Sequence, residues 1–213
     1  MRTRVRFLAI AFLTLTSASF AQVGTRPAKE WIASLESPER VAGLKTAEVI
    51  GNLELKKGDV VADLGAGTGI FAWPLARAVA PGTVFAVEVD DDFVVHMKER
   101  VKEQGLTNVT VVRGKFEDPL LPEKVDLAFF SDVLHHIANR DAYLKTVAGY
   151  LKPGGRIAVI ELDATNPKSP HREQPNLQVT KAQLDEWMTA AGLTKASEPS
   201  LFDDKWFVIY RKR

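Results

Sequence analysis

The segment Asp63-Leu64-Gly65-Ala66-Gly67-Thr68-Gly69 places an acid and then three glycines at alternate positions, directly after the apolar run Val60-Val61-Ala62. The run reads as a buried parallel strand, and the helical pattern beyond Gly69 makes a strand–loop–helix unit. Glycines there let the backbone turn sharply and let a ligand approach with no Cβ in the way. The loop N–H groups and the helix N-terminus suit an anionic carboxylate or phosphate, as in a nucleotide-type site. A second group, Asp132-Val133-Leu134-His135-His136, suits proton transfer. If the chain turns helical after Ser131, Asp132 and His136 share a face at i, i+4, and His135 points elsewhere. An acid that orients an imidazole makes a general base for an oxygen, nitrogen or activated-carbon acid. His136 is therefore the first candidate catalytic residue, with Asp132 orienting it and His135 behind it. The competing reading has one histidine packed beside the ligand and the other facing water. No metal site is expected, because adjacent histidines aim apart and no third ligand stands at helical spacing.

These residues need elements to hold them. Trp31, Ile32 and Leu35 suggest a small amphipathic piece, and Ser37-Pro38-Glu39 is a helix start, with apolar positions continuing at helical spacing from Val41 to Leu53. The spacing predicts strands over 60–64, 83–89, 109–113, 125–130 and 156–162, then a hairpin of 194–199 and 206–210. Helices are expected over 70–80, from an Asp91 or Asp92 cap to Gly105, over 139–151, and from a Thr180 cap to about Gly192. Pro74 falls near the start of the first of these and removes one backbone bond there. Alternating strands and helices imply an α/β, doubly wound, mostly parallel seven-stranded sheet with a C-terminal antiparallel hairpin. Ligands bind such sheets beyond the strand C-termini, at the switch point. There is no internal repeat. Residues 166–176 carry three prolines and no periodicity, and loops of that kind are often functional. His171 and Arg172 lie in it, whereas His96, among Lys98, Glu99 and Arg100, reads as solvated.

A dinucleotide loop needs G-x-G-x-x-G, and counted from Gly65 its third glycine would be Ile70, which disfavours a nicotinamide enzyme. The pattern present, D-x-G-x-G-x-G, resembles the first motif of the class I S-adenosylmethionine-dependent methyltransferases, small-molecule type. Glu88 ends the second strand with an acid, Lys152-Pro153-Gly154-Gly155-Arg156 precedes the fifth, and the terminal hairpin matches the family's antiparallel seventh strand. The resemblance implies a Rossmann-like methyltransferase fold and S-adenosylmethionine as cofactor. It implies Glu88 on the ribose hydroxyls, Asp63 with Gly65, Ala66, Gly67, Thr68 and Gly69 around the zwitterionic tail, and Ser131 where donor and acceptor meet. The family's Gly-Asp-Ala after strand three is replaced by Gly114-Lys115-Phe116-Glu117-Asp118. Two readings stand side by side there: Glu117 or Asp118 meets the adenine amino group with Phe116 against the ring, or the loop is solvated. Trp31, Ile32 and Leu35 read either as a lid over the pocket or as ordinary packing.

The first 21 residues read as a Sec-type signal peptide. Arg2, Arg4 and Arg6 precede the short apolar core 7–13, and Ser19-Phe20-Ala21 places cleavage before Gln22, with a mitochondrial presequence the competing reading. The expected organisation is a leader (1–21), an N-terminal helical segment or lid (22–57) and an S-adenosylmethionine-binding domain (58–213), secreted or periplasmic, with no stable membrane span after cleavage. Removing the leader's three arginines takes the formal charge from +1 to −2. That balance leaves no basic footprint for nucleic acid. The absence of cysteine excludes disulfides, zinc–thiolate sites and a thiol nucleophile. The resulting expectation is methyl transfer to a small-molecule O, N or C nucleophile. The alternative is an exported non-catalytic protein of the same fold that binds S-adenosylmethionine or a related ligand.

Overall fold

A computed structural model describes residues 27–167 and 169–213. The expected leader lies outside the described residues. Seven strands form one sheet: β1 (Val61–Leu64), β2 (Val84–Glu88), β3 (Val109–Arg113), β4 (Val125–Ser131), β5 (Leu151–Leu162), β6 (Leu193–Ser197) and β7 (Lys205–Lys212). Their order is β3-β2-β1-β4-β5-β7-β6, with β7 antiparallel to both β5 and β6 and the other pairs parallel. The expected doubly wound fold is thus present, with its C-terminal hairpin wedged against the sheet.

Alternate residues of the central strands feed two cores. Ala62, Leu64, Val87, Phe130 and Val159 face α6 (Arg140–Gly149) and α7 (Lys181–Ala190), through Leu144, Val147, Leu184 and Met188. Val61, Ala86, Phe129 and Ile160 face α3 (Thr46–Asn52), α4 (Ala72–Val79) and α5 (Asp91–Glu103), through Val49, Leu75, Val79 and Met97. Strands buried on both faces explain why β1 and β4 read as continuous apolar runs rather than alternating ones.

Several boundaries move for local reasons. The helix expected from Ser37 onward is broken into α2 (Pro38–Gly43) and α3, because Lys45 takes a left-handed φ of 47°. A short α1 (Ala28–Leu35) precedes them. The cap of α5 is Asp90, whose Oδ1 accepts the N–H of Asp92 at 2.9 Å, rather than Asp91 or Asp92. Thr180 caps α7 through a reciprocal capping box with Gln183. Pro74 leaves the Ile70 carbonyl without its i+4 donor, whereas the flanking bonds Trp73 to Gly69 and Leu75 to Phe71 are made. Among the described residues no helix is long and apolar enough to cross a membrane.

Candidate active site

Register brings the C-terminal ends of four strands to one edge. Leu64 pairs with Val87 and with Phe130, and Ser131 pairs with Ile160, so the next residues Gly65, Glu88, Asp132 and Glu161 share that edge. The chain reverses its direction of winding between β1 and β4, which makes this edge the switch point.

The glycine loop crosses the edge as a tight turn. Gly65 and Ala66 both donate to Val87 O, Gly69 donates to Ala66 O, and Gly67 donates to Glu88 Oε2 at 3.0 Å. Four loop N–H groups are thus satisfied inside the protein. The loop does not present them to an anion, as the glycine spacing alone suggested. Acceptors are presented instead. Glu88 Oε1 accepts Val89 N–H at 2.7 Å and Asp90 N–H at 3.3 Å, so that Oε2, with the Gly67 N–H alone, keeps a free acceptor site. Asp63 is buried, and its Oδ2 has no hydrogen-bond partner among the described residues. Burial, and then the Glu88 charge, raise the Asp63 pKa to about 7. Burial also raises Glu88, opposed by its three backbone N–H bonds. Two desolvated carboxylates with no cation between them favour a ligand that brings positive charge and hydrogen-bond donors.

The backbone around this pair admits no added side chain at Gly65. Its φ is +70°, and a Cβ there would press into Val133, within 2.9 Å of that residue's Cβ. Gly67 is more open, with Leu35 Cδ1 of α1 at 3.7 Å from a Cβ built there. Leu35 therefore lies over the loop. Near it, Glu36 Oε1 meets His96 Nε2 of α5 at 2.8 Å. His96 is a half-buried anchor for the N-terminal segment, not the solvated residue its charged neighbours suggested. Thr68 is buried and Ser131 half-buried, whereas Phe116 and Glu117 stand exposed on the turn after β3. Asp118 caps that turn through Leu120 N–H and accepts the Tyr150 hydroxyl at 2.9 Å.

The expected Asp132–His136 pairing does not form. Asp132 takes a left-handed φ of 52°, and only a short 3₁₀ turn, Leu134–His136, follows, so no i, i+4 face exists. Asp132 Oδ2 instead meets Lys205 Nζ at 2.5 Å and Arg40 at 3.7 Å, and its Oδ1 is buried without a partner among the described residues. The imidazole held by an acid is His135, and the acid is Glu161, with Nδ1 to Oε1 at 2.7 Å. The two histidine rings do not aim apart: their centroids are 4.1 Å apart. His171 joins them from the 163–180 loop, 4.9 Å from His135 and 6.3 Å from His136. Desolvation by this packing, then the charges of His135, His171 and Arg140, lower the His136 pKa, while Asp132 opposes them. Among the described residues, no three such side chains are arranged to share a metal ion.

Glu161 and Arg140 are the residues that sequence reasoning missed. Glu161 carried a usable signal, because β1, β2 and β5 all run from apolar residues into an acid at this edge (Asp63, Glu88, Glu161). Arg140 carried none, since its partners are backbone carbonyls of separate segments.

Against known proteins, residues 55–198 match a family described as methyltransferase domain. The chain is similar to the ubiquinone/menaquinone biosynthesis C-methyltransferase UbiE of Pasteurella multocida, 32% identical over 110 residues, or 50% of this chain and 41% of that protein. It is also similar to protein arginine N-methyltransferase 2 of Mus musculus, 39% identical over 80 residues, or 37% of this chain and 18% of that protein. The match thus spans less than half the length of either relative. In fold, it superposes on a SAM dependent methyltransferase from Aquifex aeolicus with a TM-score of 0.77 at 22% identity, covering 87% of this chain and 98% of that one.

Proposed function

The chain belongs to the methyltransferase domain family, and from that premise we propose that it transfers a methyl group from S-adenosylmethionine to a small-molecule oxygen, nitrogen or carbon nucleophile. The observation that carries the proposal is the acceptor-rich edge. Among the described residues no cation pairs with the desolvated carboxyls of Asp63 and Glu88, and four N–H groups of the neighbouring loop are already used. A phosphate would be repelled there. S-adenosylmethionine brings an ammonium, a sulfonium and a vicinal ribose diol, which are the charges and donors the edge lacks.

In this reading Glu88 would hold the ribose diol, one hydroxyl at the free site of Oε2 and the other in place of the long 3.3 Å Asp90 contact, and Asp63 would answer the ammonium directly or through water. Gly65, Ala66, Gly67, Thr68 and Gly69 supply a surface without obstructing side chains, Ser131 flanks the donor, and Phe116 and Glu117 rim the adenine side. When bound, the cofactor supplies a methyl carbon made electrophilic by positive sulfur. Methyl transfer then depends mainly on alignment of acceptor, carbon and sulfur. Asp132, its carboxylate fixed by Lys205 and Arg40 with one oxygen left over, would hold the acceptor, with His136 within reach of its charge. The N-terminal helices act as a lid through Leu35 and the Glu36–His96 contact.

The relatives are by name a ubiquinone/menaquinone biosynthesis C-methyltransferase and a protein arginine N-methyltransferase, so acceptor size is what the test must resolve. The protein is incubated with methyl-tritiated S-adenosylmethionine and either a small-metabolite extract or acid-precipitable protein. The proposal expects label in the metabolite fraction. Label confined to precipitable protein refutes the small-molecule reading. The leader-like residues 1–21 favour a second reading, an exported protein that keeps the pocket without the transfer. Cell fractionation with N-terminal sequencing addresses it: a chain beginning at Gln22 outside the cytoplasm supports export, and an intact Met1 in the cytoplasm refutes it.

A further inference from the structure

A second cluster of titratable groups, built on Glu161 at the same edge, gathers His135, His136 and His171. Glu161 is 1% exposed and His135 4%. Glu161 Oε2 accepts His135 N–H at 3.1 Å, and Oε1 accepts Leu162 N–H at 2.8 Å. Both Glu161 oxygens accept backbone N–H groups, an arrangement that suits a carboxylate acting as acceptor toward the ring. The proton of its 2.7 Å contact with His135 therefore sits on Nδ1. With the Nδ1 proton so placed, Nε2 is the ring nitrogen that can offer a lone pair.

The surroundings hold this arrangement in place from two segments. Arg140 donates from Nε to Leu134 O at 3.1 Å, and from one terminal nitrogen to His135 O at 2.7 Å and Asn176 O at 2.6 Å. One guanidinium thus fastens the histidine turn to the loop that carries His171. His171 Nδ1 is itself held by Gln174 Oε1 at 2.8 Å. The turn also abuts the cofactor loop, since Val133, two residues before His135, fills the space where a Gly65 side chain would sit. A buried carboxylate that orients an imidazole, two residues from the side chain packed on the glycine loop, is the arrangement of a proton acceptor with its orienting group.

We propose that His135 Nε2 removes a proton from the methyl acceptor, that Glu161 is its positioning residue, and that the acceptor is consequently protic, an O–H or an activated C–H. The inference rests on the methyl-transfer reading above. The acceptor's O–H or C–H bond breaks with its proton passing to Nε2. The freed electron pair forms the new bond to the methyl carbon, and the C–S bonding pair returns to sulfur. The products are the methylated acceptor, neutral S-adenosylhomocysteine and an imidazolium that gives its proton to water.

The test uses the full chain labelled with ¹⁵N at histidine. Its four histidines are assigned by single His→Asn replacements. Long-range ¹H–¹⁵N spectra report the tautomer, and diethyl pyrocarbonate with peptide mapping reports whether a neutral, reachable Nε2 exists. The expected result is an Nδ1–H tautomer at His135 and carbethoxylation of that residue, slowed about tenfold in Glu161→Gln by loss of the charge-assisted bond. An Nε2–H tautomer, or a His135 that stays unmodified while His136 and His171 react, overturns the proposal, and these wild-type readouts stand even where Glu161→Gln does not fold. A labelled product that is a sulfonium or quaternary ammonium also overturns it. Calorimetry with S-adenosylmethionine separates the two readings. Wild-type protein that fails to bind it refutes methyl transfer itself, whereas binding with an unreactive His135 refutes only the base.

Discussion

Gly65→Ala and Gly154→Ala place the same methyl group on nearly the same backbone. Their φ angles are +70° and +71°, so left-handed strain, about 1–2 kcal/mol for a residue with a Cβ, is common to both. They differ in what the methyl meets. At Gly154 nothing lies within 4 Å, whereas at Gly65 the methyl overlaps the Val133 side chain and comes within 2.9 Å of its Cβ. Val133 cannot swing away by a rotamer change, because the overlap reaches its branch point. Relief must shift the backbone after β4, which Asp132 N–H ties to Ile160 O at 3.0 Å. Overpacking of that kind costs about 1–3 kcal/mol beyond the shared strain. Urea unfolding followed by circular dichroism should therefore place Gly65→Ala about 1–3 kcal/mol below Gly154→Ala, and only Gly65→Ala should weaken S-adenosylmethionine binding. Equal unfolding free energies for the two variants would refute the reasoning.

Other expectations follow from the same edge. Folded Asp63 keeps its proton up to about pH 7, whereas an unfolded aspartate releases it near 3.8, so the folded state binds more protons between those values. Stability accordingly falls as pH rises through that window and levels off above it. Asp63→Asn should remove up to roughly 4 kcal/mol of that fall. Parallel unfolding curves for wild type and variant across pH 4.5–7.5 would contradict the assignment. Arg140→Lys keeps the charge and loses the fork that reaches Leu134 O, His135 O and Asn176 O. It should make the 163–180 loop cleave several-fold faster in limited proteolysis, and an unchanged cleavage rate counts against the clamp. His96→Ala should lower stability by about 1 kcal/mol, the upper end for an ion pair that is only half-buried, and speed dissociation of bound S-adenosylmethionine in stopped-flow. An unchanged off-rate argues against a lid.

Much of the fold was legible because it is written in local pattern. β1, β2 and β4 are buried on both faces, so their apolar runs are continuous, and glycine or proline marks most helix ends. The glycine loop and Glu88 were legible for the same reason, being consecutive or ending a strand. The partners of Asp132 and His135 were not. A helical turn after Ser131 was the natural extrapolation, but Asp132 is drawn to Lys205, 73 residues on, and to Arg40 of α2, and it takes a left-handed backbone in that position. His135 pairs with Glu161 across 26 residues, a contact created by the adjacency of β4 and β5 rather than by spacing. The direction of the loop's N–H groups was likewise a tertiary matter, decided by Val87 O and Glu88.

Isothermal titration of the folded protein with S-adenosylmethionine tests the central claim most directly. The account predicts binding of one equivalent, accompanied by proton release near pH 7 as the ligand's ammonium favours ionised Asp63. Gly67→Asp has room for its Cβ at 3.7 Å from Leu35 and sits at a left-handed φ of +57° that aspartate tolerates better than most residues, but it adds a third carboxylate beside Glu88 and should weaken binding by at least about tenfold. No binding by well-folded protein, or equal binding by Gly67→Asp, would contradict it.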